Sequence, residues 1–98
     1  MDKKVLIVDD SPAQVKLIQG LLEPEGYFPV GVNDPKRVEE AIEHEHPCVI
    51  LLDVVMPERN GFQVCRELKS SSQFNPGLTV YRRTLRMRWV ICFVIWKR

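Results

Sequence analysis

Apolar and polar positions alternate in two rhythms along most of the chain. Lys4-Val5-Leu6-Ile7-Val8-Asp9 is a continuous β-branched run ending in acid, the pattern of a strand buried on both faces of a parallel sheet. Cys48-Val49-Ile50-Leu51-Leu52-Asp53 repeats it. Between them, Ser11-Pro12 supplies an N-cap and a proline at the first helical position, and Val15, Ile18, Leu21 and Leu22 then recur at helical spacing. Pro24 and Gly26 predict a stop near Glu23. Tyr27 to Val32 reads as a short strand that Pro29 pushes to an edge. Asp34-Pro35 repeats the cap signal before a second helix striped by Val38, Ala41 and Ile42 and ending around Glu45. Asn60-Gly61 opens a third, with Phe62, Val64, Cys65 and Leu68 as its apolar positions. The βαβαβα order predicts an α/β fold, a doubly wound parallel sheet with right-handed crossovers and helices on both faces.

Beyond Gly77 the rhythm changes. Residues 70–77 are loop chemistry, Leu78 to Tyr81 suggest a strand, and Leu85, Met87 and Trp89 alternate with Arg86 and Arg88 before an apolar run to Trp96. Charge shifts at the same place. Residues 1–77 hold all 13 acidic and 8 basic residues, whereas residues 78–98 hold 6 basic and no acidic ones. The 98 residues make one domain on size. It divides into a core, 1–77, and an atypical basic and apolar tail, 78–98. A reading-frame change in the coding DNA would produce such a break.

The other compositional signals narrow the setting. Val5 to Val8 are too few apolar residues for a secretory segment, and the longest apolar run, Trp89 to Trp96, is far short of the roughly twenty residues of a membrane-spanning helix. Cys48, Cys65 and Cys92 are widely spaced, which suits reduced core thiols. A cytoplasmic location is expected. His44 and His46 flank Glu45 at a helix end, where a cation suits the dipole, and are read in that role. The basic tail has no recognition helix, so no nucleic-acid partner is expected.

Chemistry concentrates where the strands end. In an open α/β sheet ligands collect beyond the carboxyl ends of the strands, and Asp9, Asp10 and Asp53 all stand there. Adjacent strands lie about 4.8 Å apart, so the three carboxylates converge on the volume of one ion. Like charges so close repel, and a hard divalent cation such as Mg²⁺ removes the conflict. Asp53, leaving the middle of that edge, is the candidate nucleophile for a phosphoryl group.

Asp9-Asp10 after an apolar strand, Leu51-Leu52-Asp53-Val54-Val55-Met56-Pro57, and Asn60-Gly61-Phe62 together resemble the receiver domain of two-component response regulators. The resemblance covers residues 3 to about 70. It implies the flavodoxin-like strand order 2-1-3-4-5, incomplete here at the C-terminus. It further implies that Asp53 accepts phosphate from a sensor histidine kinase or phosphotransfer protein, that Asp10 binds Mg²⁺ directly and Asp9 largely through water, and that the Val55 backbone carbonyl is a further ligand. Met56-Pro57 and Gly61 would shape the loop after the acceptor. The resemblance also implies at most self-catalysed aspartyl phosphorylation and dephosphorylation, with output through contacts to a downstream protein.

Two family parts depart from the pattern. The switch Ser or Thr, about 30 positions after the acceptor, has Thr84 as its candidate at 84 − 53 = 31, outside the usual small-residue context. The family's strand-five Lys has no counterpart, since Lys97 comes too early. A chain lacking the last helix would leave one sheet face half bare, so residues 84–96 are expected to be extended and to pair with the sheet edge or with a second copy in a homodimer. The alternative function is a degenerate, non-switching receiver used as an interaction or assembly module. An aspartate-nucleophile phosphohydrolase is disfavoured, because that class wants Asp-x-Asp and Asp53 is followed by Val54-Val55.

Overall fold

The computed structural model describes residues 3–53, 56, 60–70, 78–84 and 89–96, the last two segments as backbone. Strand β1 (Lys4–Val8), helix α1 (Pro12–Leu22), β2 (Phe28–Val32), α2 (Val38–Glu45), β3 (Val49–Asp53), α3 (Gly61–Ser70), β4 (Leu78–Thr84) and β5 (Trp89–Trp96) follow in order. They build one five-stranded sheet, β2-β1-β3-β5-β4.

Local chemistry sets each boundary. The Ser11 hydroxyl accepts the Gln14 N–H at 3.4 Å and Pro12 starts α1, which passes into a 3₁₀ turn over Glu23–Glu25 and ends at Gly26 with φ 89°. Asp34 caps a 3₁₀ turn, Pro35–Arg37, that leads into α2. His46 closes α2 in a left-handed conformation, φ 50°, its N–H on the Ile42 carbonyl at 2.9 Å. The other histidine, His44, lies 2.9 Å from Glu45, which also pairs with Lys4 at 3.1 Å.

β1 runs parallel to β2 and β3, the doubly wound half of the sheet. β2 is the edge strand, as Pro29 implies. The Phe28 N–H donates to Lys3 of the β1 side and the register alternates from there, so the N–H that Pro29 lacks would have faced outward. Here the proline blunts an open edge.

On the other side of β3 the strand order departs from 2-1-3-4-5. β5 lies antiparallel between β3 and β4, and β4 takes the far edge. Composition explains the exchange: Trp89–Trp96 carries no charge and suits a position with neighbours on both sides, whereas Leu78–Thr84 carries Arg82 and Arg83 and suits an edge. The extended segment thus pairs with its own sheet.

Alternate residues of β1 and β3 serve two cores. Leu6, Val8, Ile50 and Leu52 meet Val38 and Ile42 of α2 and Val64, Cys65 and Leu68 of α3. On the opposite face Val5 and Ile7 meet Val15 of α1. Of the cysteines, Cys65 is buried, and half-buried Cys48 donates its S–H to the Lys4 carbonyl at 3.2 Å. Among the described residues, no helix is long and apolar enough to cross a membrane.

Removing bulk from a sealed position leaves a cavity, whereas an exposed one loses little. Ile42 is 0% exposed and Leu21 65%. Ile42→Ala is therefore expected to cost about 2–5 kcal/mol of unfolding free energy in urea titrations and Leu21→Ala about 0.5 kcal/mol or less.

Candidate functional site

The ends of β1 and β3 deliver the acids. Because the strands are parallel neighbours with Val8 opposite Leu52, Asp9 and Asp53 leave the sheet side by side, and Asp10 follows before α1 begins. One carboxylate oxygen of each of Asp9, Asp10 and Asp53 lies within 4.8 Å of the others. Asp9 and Asp53 are fully buried and Asp10 is exposed.

Hydrogen bonds fix part of this cluster. Asp9 Oδ1 accepts the Ser11 N–H at 3.0 Å, and the Asp9 N–H donates to the Val32 carbonyl at 3.1 Å, tying the residue to β2. Asp9 Oδ2 is buried with no hydrogen-bond partner. A buried orphan oxygen beside two other carboxylates is costly, and its chemistry fits a ligand atom for a hard cation. Burial pushes the Asp9 carboxyl up to about 6, the Ser11 N–H opposes the shift, and neighbouring Asp53 and Asp10 add to it.

The opposite wall comes from α3. Asn60 Oδ1 accepts the Gln63 N–H at 2.8 Å while Gln63 Oε1 accepts the Asn60 N–H at 3.0 Å, a reciprocal cap that fixes where the helix starts. The helix then begins against the backbone of β3. A Cβ on Gly61 would stand 2.8 Å from the Asp53 carbonyl oxygen and 3.2 Å from Leu52 Cβ, so only glycine lets α3 come this close. Met56 is buried in the core shared with Val64, Cys65 and Leu68.

The three acids are therefore brought together, and all their donors are hard oxygens, a set that fits Mg²⁺ and has no nitrogen or sulfur to favour zinc. Thr84 sits at the same end of the sheet but two strands away: it pairs with Val90, and Val90 pairs with Leu52. Its backbone is thus about 10 Å from β3, with β5 between. Val55, with its carbonyl, and Pro57 lie outside the described residues. Asn60-Gly61 was legible as a helix start, but the reciprocal cap with Gln63 and the backbone contact of Gly61 with Asp53 were not, since glycine at a helix start does not say what it touches.

Comparison with known proteins places these features in a family. The chain matches the model of the response regulator receiver domain over residues 5–85. It is 37% identical over 78 residues to the alkaline phosphatase synthesis transcriptional regulatory protein PhoP of Bacillus subtilis, covering 80% of this chain and 32% of that protein. The DNA-binding response regulator MtrA of Mycolicibacterium smegmatis is 32% identical, with 74% of this chain and 32% of MtrA covered. The chain spans about a third of the length of these curated relatives. Among solved structures, the N-terminal domain of a response regulator receiver protein from Methanoculleus marisnigri superposes with a TM-score of 0.66 at 30% identity, covering 70% of this chain and 56% of that one. The BeF₃-activated N-terminal receiver domain of Klebsiella pneumoniae RstA gives 0.65 at 32%, covering 69% and 58%.

The raised Asp9 carboxyl fixes the sign of a pH effect. In the metal-free fold Asp9 holds its proton up to about 6, above its ordinary 3.8, so the folded state binds the extra proton between these values and stability falls as pH rises through that window. Glu45 acts oppositely, held low by His44 and then Lys4, and its contribution is lost as pH falls. Comparison with Asp9→Asn isolates the first effect. In EDTA the variant is expected to be more stable than wild type by up to about 3 kcal/mol at pH 7.5, with the gap closing below pH 4. Thermal unfolding across that range measures it.

Proposed function

The chain belongs to the response regulator receiver domain family, and on that premise we propose that it is the phosphoacceptor of a two-component phosphorelay, taking a phosphoryl group on Asp53. The observation that carries this reading is the convergence of Asp9, Asp10 and Asp53 within 4.8 Å at one sheet edge, with Asp9 Oδ2 unpartnered.

In the proposed reaction an Asp53 carboxylate oxygen attacks the phosphorus of a phosphohistidine on a sensor kinase or phosphotransfer protein. The new O–P bond forms as the donor's N–P bond breaks, and the leaving imidazole takes up a proton from solvent. Asp9, Asp10 and Asp53, with the Val55 carbonyl, would hold Mg²⁺, which when bound neutralises charge on the transferred oxygens. The chain's own residues do the positioning. Ser11 orients Asp9 through its N–H, and Gly61 admits the start of α3 against the Asp53 backbone. Hydrolysis of the acyl phosphate by water returns the free carboxylate, so the state is reversible.

Output would pass by contact with a downstream protein in the cytoplasm. The DNA-binding and transcriptional roles in the relatives' names belong to longer proteins, of which this chain covers about a third, and no nucleic-acid contact is proposed for these residues. One observation favours a second reading. With β5 standing between β3 and Thr84, phosphate on Asp53 has no adjacent switch strand to pull, as suits a module whose protein contacts do not depend on phosphorylation.

Incubation with acetyl phosphate and Mg²⁺ should add a single phosphoryl increment to the intact mass. Asp53→Asn should abolish it, and EDTA should reduce it at least tenfold. Undiminished uptake by Asp53→Asn would contradict the assignment.

A further inference from the structure

Strand β2 forms one edge of the sheet, and among the described residues its outer side pairs with no strand. The register fixes which backbone groups face outward there. Phe28 donates to the Lys3 carbonyl and Asp9 donates to the Val32 carbonyl, so the even positions of β2 turn their backbone groups toward β1. The odd positions point the other way. They leave the Pro29 carbonyl, and both the N–H and the C=O of exposed Gly31, open to a further strand. A groove accompanies this edge on each face. Val30 and Val32 pack on the core beneath α2, and beside them a groove of about 340 Å³ opens between β2 and α2, lined also by Asp34, Arg37, Glu40 and Glu45. Even with Glu45 paired to Lys4 at 3.1 Å and to His44 at 2.9 Å, the carboxylates of Asp34 and Glu40 outnumber the Arg37 guanidinium. On the α1 face a second groove, about 240 Å³, lies at Gly31 beside Val15, Lys16 and Gln19. A Cβ on Gly31 would collide with Val15 Cγ1, so the side chain that glycine lacks would point into this second groove.

We propose that the β2 edge takes an extended segment of a partner protein as an added strand, with basic side chains at alternate positions of that segment. Side chains of an added strand alternate between the faces in step with those of β2, so those opposite Val30 and Val32 enter the acidic groove and the one opposite Gly31 fills the space beside Val15. The aliphatic stem of a Lys or Arg suits the lining of Val30, Val32 and Ala41, and its charged head suits Asp34 and Glu40. Phe28, 65% exposed, stands on the same face by alternation and offers its ring to a further cation. Lys16 on the other face opposes a base at the intervening position, so the preferred segment alternates basic with uncharged residues. Charge also argues against a second copy of this chain, because antiparallel pairing of two β2 edges about a two-fold axis would bring two acidic grooves onto one face. This inference is independent of phosphate on Asp53.

Titration of the whole nitrogen-15-labelled chain with the peptide acetyl-Thr-Lys-Val-Arg-Thr-Lys-amide, followed by NMR, tests it. The Gly31 amide signal should shift, and its hydrogen exchange should slow at least tenfold at saturating peptide, with a Kd of about 100 μM or tighter. Glu40→Lys, at an exposed position on α2, should weaken binding at least fivefold with unchanged far-UV circular dichroism. The same peptide with Glu in place of Lys and Arg should not bind, and should Glu40→Lys fail to fold, this peptide makes the charge comparison on the wild type. A fully N-methylated peptide keeps the charges but not the donors, and should bind at least tenfold more weakly. No binding of the basic peptide at 1 mM would overturn the proposal, as would equal binding of the acidic or the N-methylated peptide. So would shifts that gather at Asp9, Asp10 and Asp53 and leave Gly31 unmoved, which would mark simple attraction of cations to that cluster. Protection of Gly31 that rises with protein concentration in the absence of peptide would assign the edge to a second copy and overturn the choice of occupant.

Discussion

Three carboxyl groups share one small volume at the end of this sheet, two of them withdrawn from water. Folding alone gives no reason to keep Asp9 and Asp53 there, because burial of neighbouring like charges opposes the folded state. The chain lowers that cost in part by giving Asp9 the Ser11 N–H and by letting its carboxyl retain a proton to about 6. Asp9 Oδ2 itself is left without a hydrogen-bond partner. Such a site suits a cation and a change of charge, and both are what the proposed acceptance of a phosphoryl group requires.

The surrounding fold serves to hold that conflict in place. Parallel pairing of β1 with β3 brings Asp9 and Asp53 to the same level, and the buried core beneath α2 and α3 holds both strands in place. Two glycines permit the close contacts that complete the frame. Gly61 lets α3 start against the Asp53 backbone, and a Cβ on Gly31 would collide with Val15 on α1. Neither position tolerates a larger residue without a shift of the element it touches.

Much of this was legible in the sequence because the determining signals are local. Unbroken apolar runs ending in aspartate marked β1 and β3, Ser11-Pro12 and Asp34-Pro35 marked helical starts, and Pro29 marked the edge strand. The acidic cluster followed, since two parallel neighbours place their ends together. What the sequence left open depends on long-range choices. Residues 78–96 read as extended, but their order in the sheet rests on which strand better fills the place beside β3, and the uncharged run won it over the strand bearing Arg82 and Arg83. That exchange separates Thr84 from Asp53 by a full strand, a consequence no spacing along the chain could reveal.

The central claim is that Asp9, Asp10 and Asp53 act together as one cation pocket. Calorimetric titration of the metal-free chain with Mg²⁺ tests it most directly, repeated from pH 5 to pH 8 and with Asp10→Asn. One ion per chain is expected, with affinity weakening as pH falls through about 6, where Asp9 regains its proton, and dropping at least tenfold in the variant. Binding that is independent of pH across this range and unchanged in Asp10→Asn would contradict it.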